Sequence, residues 1–154
     1  MSTFVIDTNL LVLFVVGGTS KSYISRHKRL TAFSDEDYDL LLGILTDANE
    51  IILTPNTLTE ASSLLRQSSD PMKTEIYNKF KDIIENAREQ YISSRDGSEQ
   101  KEFVRLGLTD AILLTLDDQT ITLVTTDFGL YHEALSRGNK VINFNHYRET
   151  YLGY

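Results

Sequence analysis

Apolar, β-branched runs that stop abruptly at polar residues, helical spacing between those runs, and a length of 154 residues predict one α/β domain. The expected architecture is three layers, α/β/α, around a central parallel sheet of four or five strands. A chain this long buries roughly 70% of its unfolded surface, enough for a hydrophobic core. Thr3 to Ile6 is the first run, and it halts at Asp7-Thr8-Asn9 as a buried parallel strand does. Leu10 to Val16 continues as a helix with Gly17-Gly18 at its stop, and Thr19 to Thr31 is polar and basic enough for a loop. Ser34 and the acids behind it cap a second helix whose inner face is Tyr38, Leu41, Leu42 and Leu45.

Glu50 to Thr54 is the second strand. Pro55 ends it, and Asn56 is placed to cap a helix through Leu58, Ala61, Leu64 and Leu65. Asp70-Pro71 opens a long helix through Ile76, Phe80, Ile83, Ile84 and Ala87. Basic and acidic residues balance from Pro71 to Arg105, which marks a solvated amphipathic face. The periodicity lapses around Asp96-Gly97-Ser98 before Thr109 caps a helix through Ile112, Leu113 and Leu116. Ile121 to Val124 is a third strand, Phe128 to Arg137 a helix closed by Gly138, and Lys140 to Phe144 a fourth strand. No repeat, low-complexity segment or second domain interrupts residues 1–154.

Composition narrows the function. Acidic residues outnumber basic ones 22 to 15, a net charge of −7, which argues against a surface that coats nucleic acid but allows a local basic patch. With no cysteine, disulfides, thiolate zinc sites and cysteine nucleophiles are all excluded. The longest apolar run, Leu10 to Val16, is far short of the roughly 20 residues a membrane span needs, and Asp7 and Asn9 interrupt anything resembling a secretory leader. A cytoplasmic protein without a membrane partner is the expectation.

Right-handed crossovers bring strand ends and helix starts to one edge of a parallel sheet, where open α/β proteins place their ligands. Asp7 ends the first strand, Glu60 lies in the first turns of the helix after Pro55, Asp110 opens the helix behind Thr109, and Asp127 follows the third strand. Each alone reads as a turn residue or an answer to a helix dipole. Four converging on one edge repel, and such a group persists only if partly protonated or bound to cations. Oxygen ligands without cysteine or nearby histidine suit Mg²⁺ or Mn²⁺. Asp35, Glu36, Asp37 and Asp39, crowding one helix start, and Asp117-Asp118 at a helix end read instead as caps and solvated surface. His27, His132 and His146 read as surface residues, and the tyrosines and phenylalanines fall mostly at core-facing spacing rather than on a base-stacking surface.

FVIDTNLL at the start, TPNTLTEASSLL, LGLTDAILL, and LVTTDFGLYHEAL followed by VINF resemble, in order, the successive motifs of the PIN-domain nucleases. The resemblance covers nearly the whole chain. It implies a PIN-like fold, a metal site of Asp7, Glu60, Asp110 and Asp127, supporting roles for Asn9 and Thr125, and Mg²⁺- or Mn²⁺-dependent cleavage of single-stranded or structured RNA. Many small bacterial members are toxins, so an antitoxin protein and a second copy of this chain join RNA as implied partners. The basic stretch after the first helix and the long helix after Pro71 depart from a minimal toxin. Lys21, Arg26, Lys28 and Arg29 put four positive charges in one stretch without an acid. They read either as a phosphate grip or as a solubilising loop paired with Asp35 to Asp39.

Other readings stand behind this one. A haloacid-dehalogenase-type phosphatase would resemble Asp-x-Asp at the first strand, where this chain has Asn9. Neither GxGxxG nor a P-loop lysine motif supports a nucleotide-binding Rossmann protein. A catalytically silent PIN-like scaffold that binds RNA or protein is the remaining alternative, although it has no reason to carry four repelling carboxylates.

Overall fold

The computed structural model describes residues 2–116 and 118–154, so Asp117, expected at a helix end, lies outside the described residues. Five parallel strands form one sheet: β1 (Thr3–Ile6), β2 (Glu50–Leu53), β3 (Arg88–Glu89), β4 (Ile121–Thr125) and β5 (Lys140–Asn143), in the order β3-β2-β1-β4-β5. The central register pairs Val5 with Ile52 on one side and Leu123 on the other. Alternate side chains go to opposite faces. Phe4, Ile6, Leu53 and Val124 join one buried cluster, while Val5, Ile52 and Leu123 join the other. Both faces are therefore covered, as continuous apolar strands require, and the architecture is three-layer α/β/α.

On the first face lie α1 (Thr8–Thr19), α2 (Asp35–Thr46), α3 (Pro55–Leu65) and α4 (Met72–Asn86). Helix α1 packs against the other three and buries residues on every side, including Leu10, Leu11, Val12, Leu13, Val15 and Val16. The opposite face is covered by α7 (Leu108–Leu114) and α8 (Phe128–Ser136), which follow the short helices α5 (Ser94–Ser98) and α6 (Phe103–Leu106). A terminal helix, α9 (Phe144–Leu152), leans on α2, with Phe144 fully buried. Among the described residues no helix is long and apolar enough to cross a membrane.

Several boundaries differ from the sequence expectation for identifiable reasons. Gly17 and Gly18 do not stop α1, which runs on to Thr19. Glycine at 17 serves packing instead, since a Cβ there would stand 2.1 Å from the Tyr38 ring. Residues 21–26 and 28–30 are 3₁₀ turns rather than open loop. Thr54, not Asn56, caps α3: its hydroxyl accepts from the Thr57 amide at 3.2 Å, and Pro55 takes the first helical position. Gly107, at φ +85°, starts α7 two residues before Thr109, a conformation that favours glycine. Leu42 and Ile84, placed on inner faces by spacing, are exposed. Strand β3 has two residues, and α5 and α6 have five and four, too short for periodicity to reveal.

Asp37 is no solvated surface acid. It is completely buried, closes a capping box with Ser34, and receives Arg148 Nε at 2.8 Å and the Tyr154 hydroxyl at 2.9 Å. The capping box was legible in Ser34 and Asp37, whereas the partners more than a hundred residues away were not. His27 is buried as well, its Nδ1 accepting from the Arg29 amide and its Nε2 lying 3.4 Å from the Leu65 carbonyl. Burial lowers its pKa.

Candidate active site at the switch point of the sheet

The strand order reverses between β1 and β4, so the chain leaves their carboxyl ends in opposite directions and opens a crevice. Asp7 follows β1 directly and continues its ladder, donating its amide to the Val124 carbonyl at 3.2 Å. Its side chain caps α1, with Oδ1 accepting from the Leu10 amide at 2.9 Å. Oδ2 accepts from the Thr125 hydroxyl at 2.6 Å, the Thr126 amide at 2.8 Å and the Thr126 hydroxyl at 3.3 Å. Burial pushes the Asp7 carboxyl above its ordinary pKa, against the opposing effect of those bonds. The hydrogen bonds fix the carboxylate in one orientation and leave one lone-pair direction on Oδ1.

Thr125, the last residue of β4, is wholly buried between two of the acids. It donates to Asp7, and its oxygen accepts from the Asp127 amide at 2.9 Å. Asp127 then caps α8, its Oδ1 accepting from the Leu130 amide at 2.7 Å. Two acids thus arise from one local rule, a strand end followed by a capped helix, and one threonine ties them together. Asn145 supports the same turn from α9 by donating to the Thr126 carbonyl at 3.2 Å. Thr126 and Asn145 escaped the sequence reading. A second threonine beside Thr125 was the available signal for the first, and nothing local marked the second.

Asp7, Asn9, Glu60, Asp110 and Asp127 line a single cleft of about 450 Å³, together with Thr8, Thr59, Ser63 and Leu64. Asp110, third residue of α7, is half-buried and accepts no hydrogen bond from any described residue. Burial, followed by the negative charges of Asp127, Asp7 and Glu60, pushes its pKa up to about 7. Glu60 is exposed on α3, with the Thr8 hydroxyl 3.5 Å from its Oε1. The carboxylates share the cleft without closing on one point: among the described residues, no group of three or more His, Cys, Asp or Glu side chains is gathered tightly enough to hold a metal.

The donor chemistry fits a hard divalent cation. All four candidates are oxygen ligands: Asp7 keeps one lone-pair direction on Oδ1, while Glu60 Oε2, both Asp110 oxygens and Asp127 Oδ2 accept no hydrogen bond from a described residue. Glu60, exposed on α3, has side-chain freedom that the buried Asp7 lacks.

The basic residues Lys21, Arg26, Lys28 and Arg29 are absent from the cleft lining. They follow α1, whose 12 residues carry the chain about 18 Å from Asp7. Lys21 pairs with Asp39 at 2.8 Å, Arg26 lies over the Tyr23 ring, and Arg29 donates to Gln67 at 2.7 Å. A separate cavity of about 340 Å³ between α1, α2 and α4 is mostly apolar inside, with Asn49, Glu50, Asp82 and Asn86 among its polar lining. Its two acids are each paired with a cation, Glu50 with Arg88 at 2.8 Å and Asp82 with Lys79 at 3.7 Å. Fold and site together define a doubly wound α/β protein with a four-carboxylate cleft at its switch point. Comparison with family models, curated proteins and solved structures found no match.

Proposed function

We propose that the protein is a metal-dependent endoribonuclease of PIN type that hydrolyses phosphodiester bonds in single-stranded RNA. The observation carrying this reading is Asp110, held near neutrality by burial and by three other carboxylates at the position where doubly wound sheets bind ligands. A buried acid surrounded by like charge is costly to the fold, and cation binding offsets that cost. Asp7, Glu60, Asp110 and Asp127 would hold Mg²⁺ or Mn²⁺, which when bound acidifies a water and stabilises charge on a phosphate and its leaving oxygen.

The chain supplies positioning. Thr125 and Thr126 hold Asp7 at a fixed angle, and Thr125 sets the turn that presents Asp127. Asn9, exposed in the first turn of α1, offers an uncharged amide to a phosphate oxygen at the positive end of that helix. In the hydrolysis, water oxygen bonds to phosphorus, the bond to the departing ribose oxygen breaks, and that oxygen takes the proton. No side-chain nucleophile is needed.

The test is cleavage of a labelled single-stranded RNA by purified protein with Mn²⁺ or Mg²⁺, with EDTA as control. Asp7→Asn, Glu60→Gln, Asp110→Asn and Asp127→Asn should each reduce the rate more than about 100-fold, beyond the effect typical of outer-shell changes, while Asp35→Asn should not. A wild-type protein that binds RNA but cleaves none with either metal would favour the silent scaffold.

A further inference from the structure

Exposed aromatic rings neighbour two of the acids where spacing suggested core. Phe128, immediately after Asp127 and the first residue of α8, is 69% exposed. Its ring lies 4.2 Å, centroid to centroid, from that of His132 one turn later, and Tyr131 meets His132 edge-on at 5.6 Å. Tyr131 also packs edge-on at 5.6 Å against His146 of α9, so the ring group is braced by a second helix. Beyond Glu60, a neighbouring hollow of about 310 Å³ holds Tyr91, 77% exposed, against Thr59 and Glu60, both shared with the acid cleft. One exposed aromatic thus directly follows Asp127, and the other shares a hollow with Glu60.

Arg105 completes the Phe128 lip. A methyl group at Gly129 would stand 3.2 Å from Arg105 Nη1 and 3.3 Å from Asp127 Oδ1. The guanidinium thus lies across the first turn of α8, on the same side of Gly129 as the Asp127 cap. Glu133 steadies it from one turn further, Oε2 being 3.6 Å from Nη2, while over half of the arginine side chain stays open to solvent. Arginine is suited to a phosphate held beside a stacked ring, because its donors form a planar fork.

Resting on the nuclease reading, we propose that Phe128, stacked on His132, and Tyr91 are base-stacking platforms flanking the scissile position, with Arg105 gripping the phosphate beside Phe128. The occupant is a single strand with unpaired bases. A ring face accepts any unstacked base, whereas bases inside a duplex have their faces covered. The flanking purchase is needed because the cleft itself repels a polyanion.

Binding is measured in the Asp110→Asn background by anisotropy of a labelled 12-nucleotide single strand and its duplex, and by quenching of 2-aminopurine placed along the strand. Cleavage is measured in the wild-type background. Phe128→Ala and Tyr91→Ala should each weaken single-strand binding roughly 5- to 100-fold, the range of one lost base stack, and raise KM with kcat nearly unchanged. Phe128→Trp should restore both binding and quenching. Arg105→Gln should flatten the log-log salt dependence by about 0.7. Equal affinity and quenching in the alanine variants, or duplex bound and cut as well as single strand, would overturn the proposal. So would a Phe128→Ala variant whose only change is loss of self-association, which would assign the patch to a second copy. If wild type cleaves but the platform variants are unaffected, the platforms alone fall; if quenching depends on Phe128 but nothing is cleaved, the nuclease reading alone falls.

Discussion

Removing the Asp110 charge should make the metal-free protein more stable at neutral pH. The carboxyl ionises at 3.8 in the unfolded chain and at about 7 in the fold. Below pH 3.8 both states hold the proton, and the group costs nothing. Between 3.8 and about 7 the unfolded chain has released the proton while the fold retains it, so stability falls as pH rises; above about 7 the loss is complete. At about 1.4 kcal/mol per tenfold difference in proton affinity, the full loss is about 4 kcal/mol. Solvent reaching the half-buried carboxyl screens part of it, so about 2–4 kcal/mol is expected. Urea unfolding followed by circular dichroism in EDTA, from pH 4.5 to 8.5, measures this directly. Wild type should decline across that range relative to Asp110→Asn. The difference curve cancels contributions common to both proteins, such as Glu102, whose depressed pKa acts in the opposite direction. Mn²⁺ at a hundred times its Kd should return about 2.7 kcal/mol to wild type and less to the variant. Parallel pH curves for the two proteins would refute the reasoning.

Asp127→Ser should keep the α8 cap, serine being as good an N-cap as aspartate, so its melting temperature should stay close to that of wild type while cleavage is lost. Thr125→Val removes the hydroxyl between Asp7 and Asp127 and leaves a buried acceptor short of a donor; urea unfolding should show a loss of about 1–3 kcal/mol, and calorimetry a metal affinity about 10–100-fold weaker. Arg148→Ala should cost about 3 kcal/mol in the same unfolding assay by stranding buried Asp37.

Sequence patterns reached the elements whose signals are local and long. β1, α2, β4 and α8 are recovered nearly to the residue because each pairs an apolar run with a capping residue, Asp7, Ser34 or Asp127, in immediate sequence. They also put the four acids on one edge, since handed crossovers leave little choice of where a strand end and the following helix start meet. What escaped was set by distant contacts. Nothing near Gly17 announces the Tyr38 ring, nothing near His27 announces the end of α3, and nothing near Asp37 announces Arg148 and Tyr154. Phe128 was missed for the opposite reason. Its place at the start of an amphipathic helix suggests burial, but this first residue of α8 is largely exposed and, among the described residues, stacks only on His132 one turn later.

Helix capping explains part of the acid cluster and fails for the rest. Asp7 and Asp127 each commit one oxygen to the amide three residues on, a task that asparagine or serine performs without charge. Asp110 and Glu60 cap no helix, and the charges of Asp127, Asp7 and Glu60 add to the cost of ionising Asp110. A fold selected only for its turns would be more stable with neutral residues at Asp7 and Asp110, whose carboxyls are penalised by burial. On the proposed reading a divalent cation would compensate that charge and draw an anionic strand to the cleft. On the same reading, a strand crossing the cleft would meet Phe128 and Arg105 beside Asp127 and Tyr91 beside Glu60, so the acids and the exposed rings would act as parts of one site.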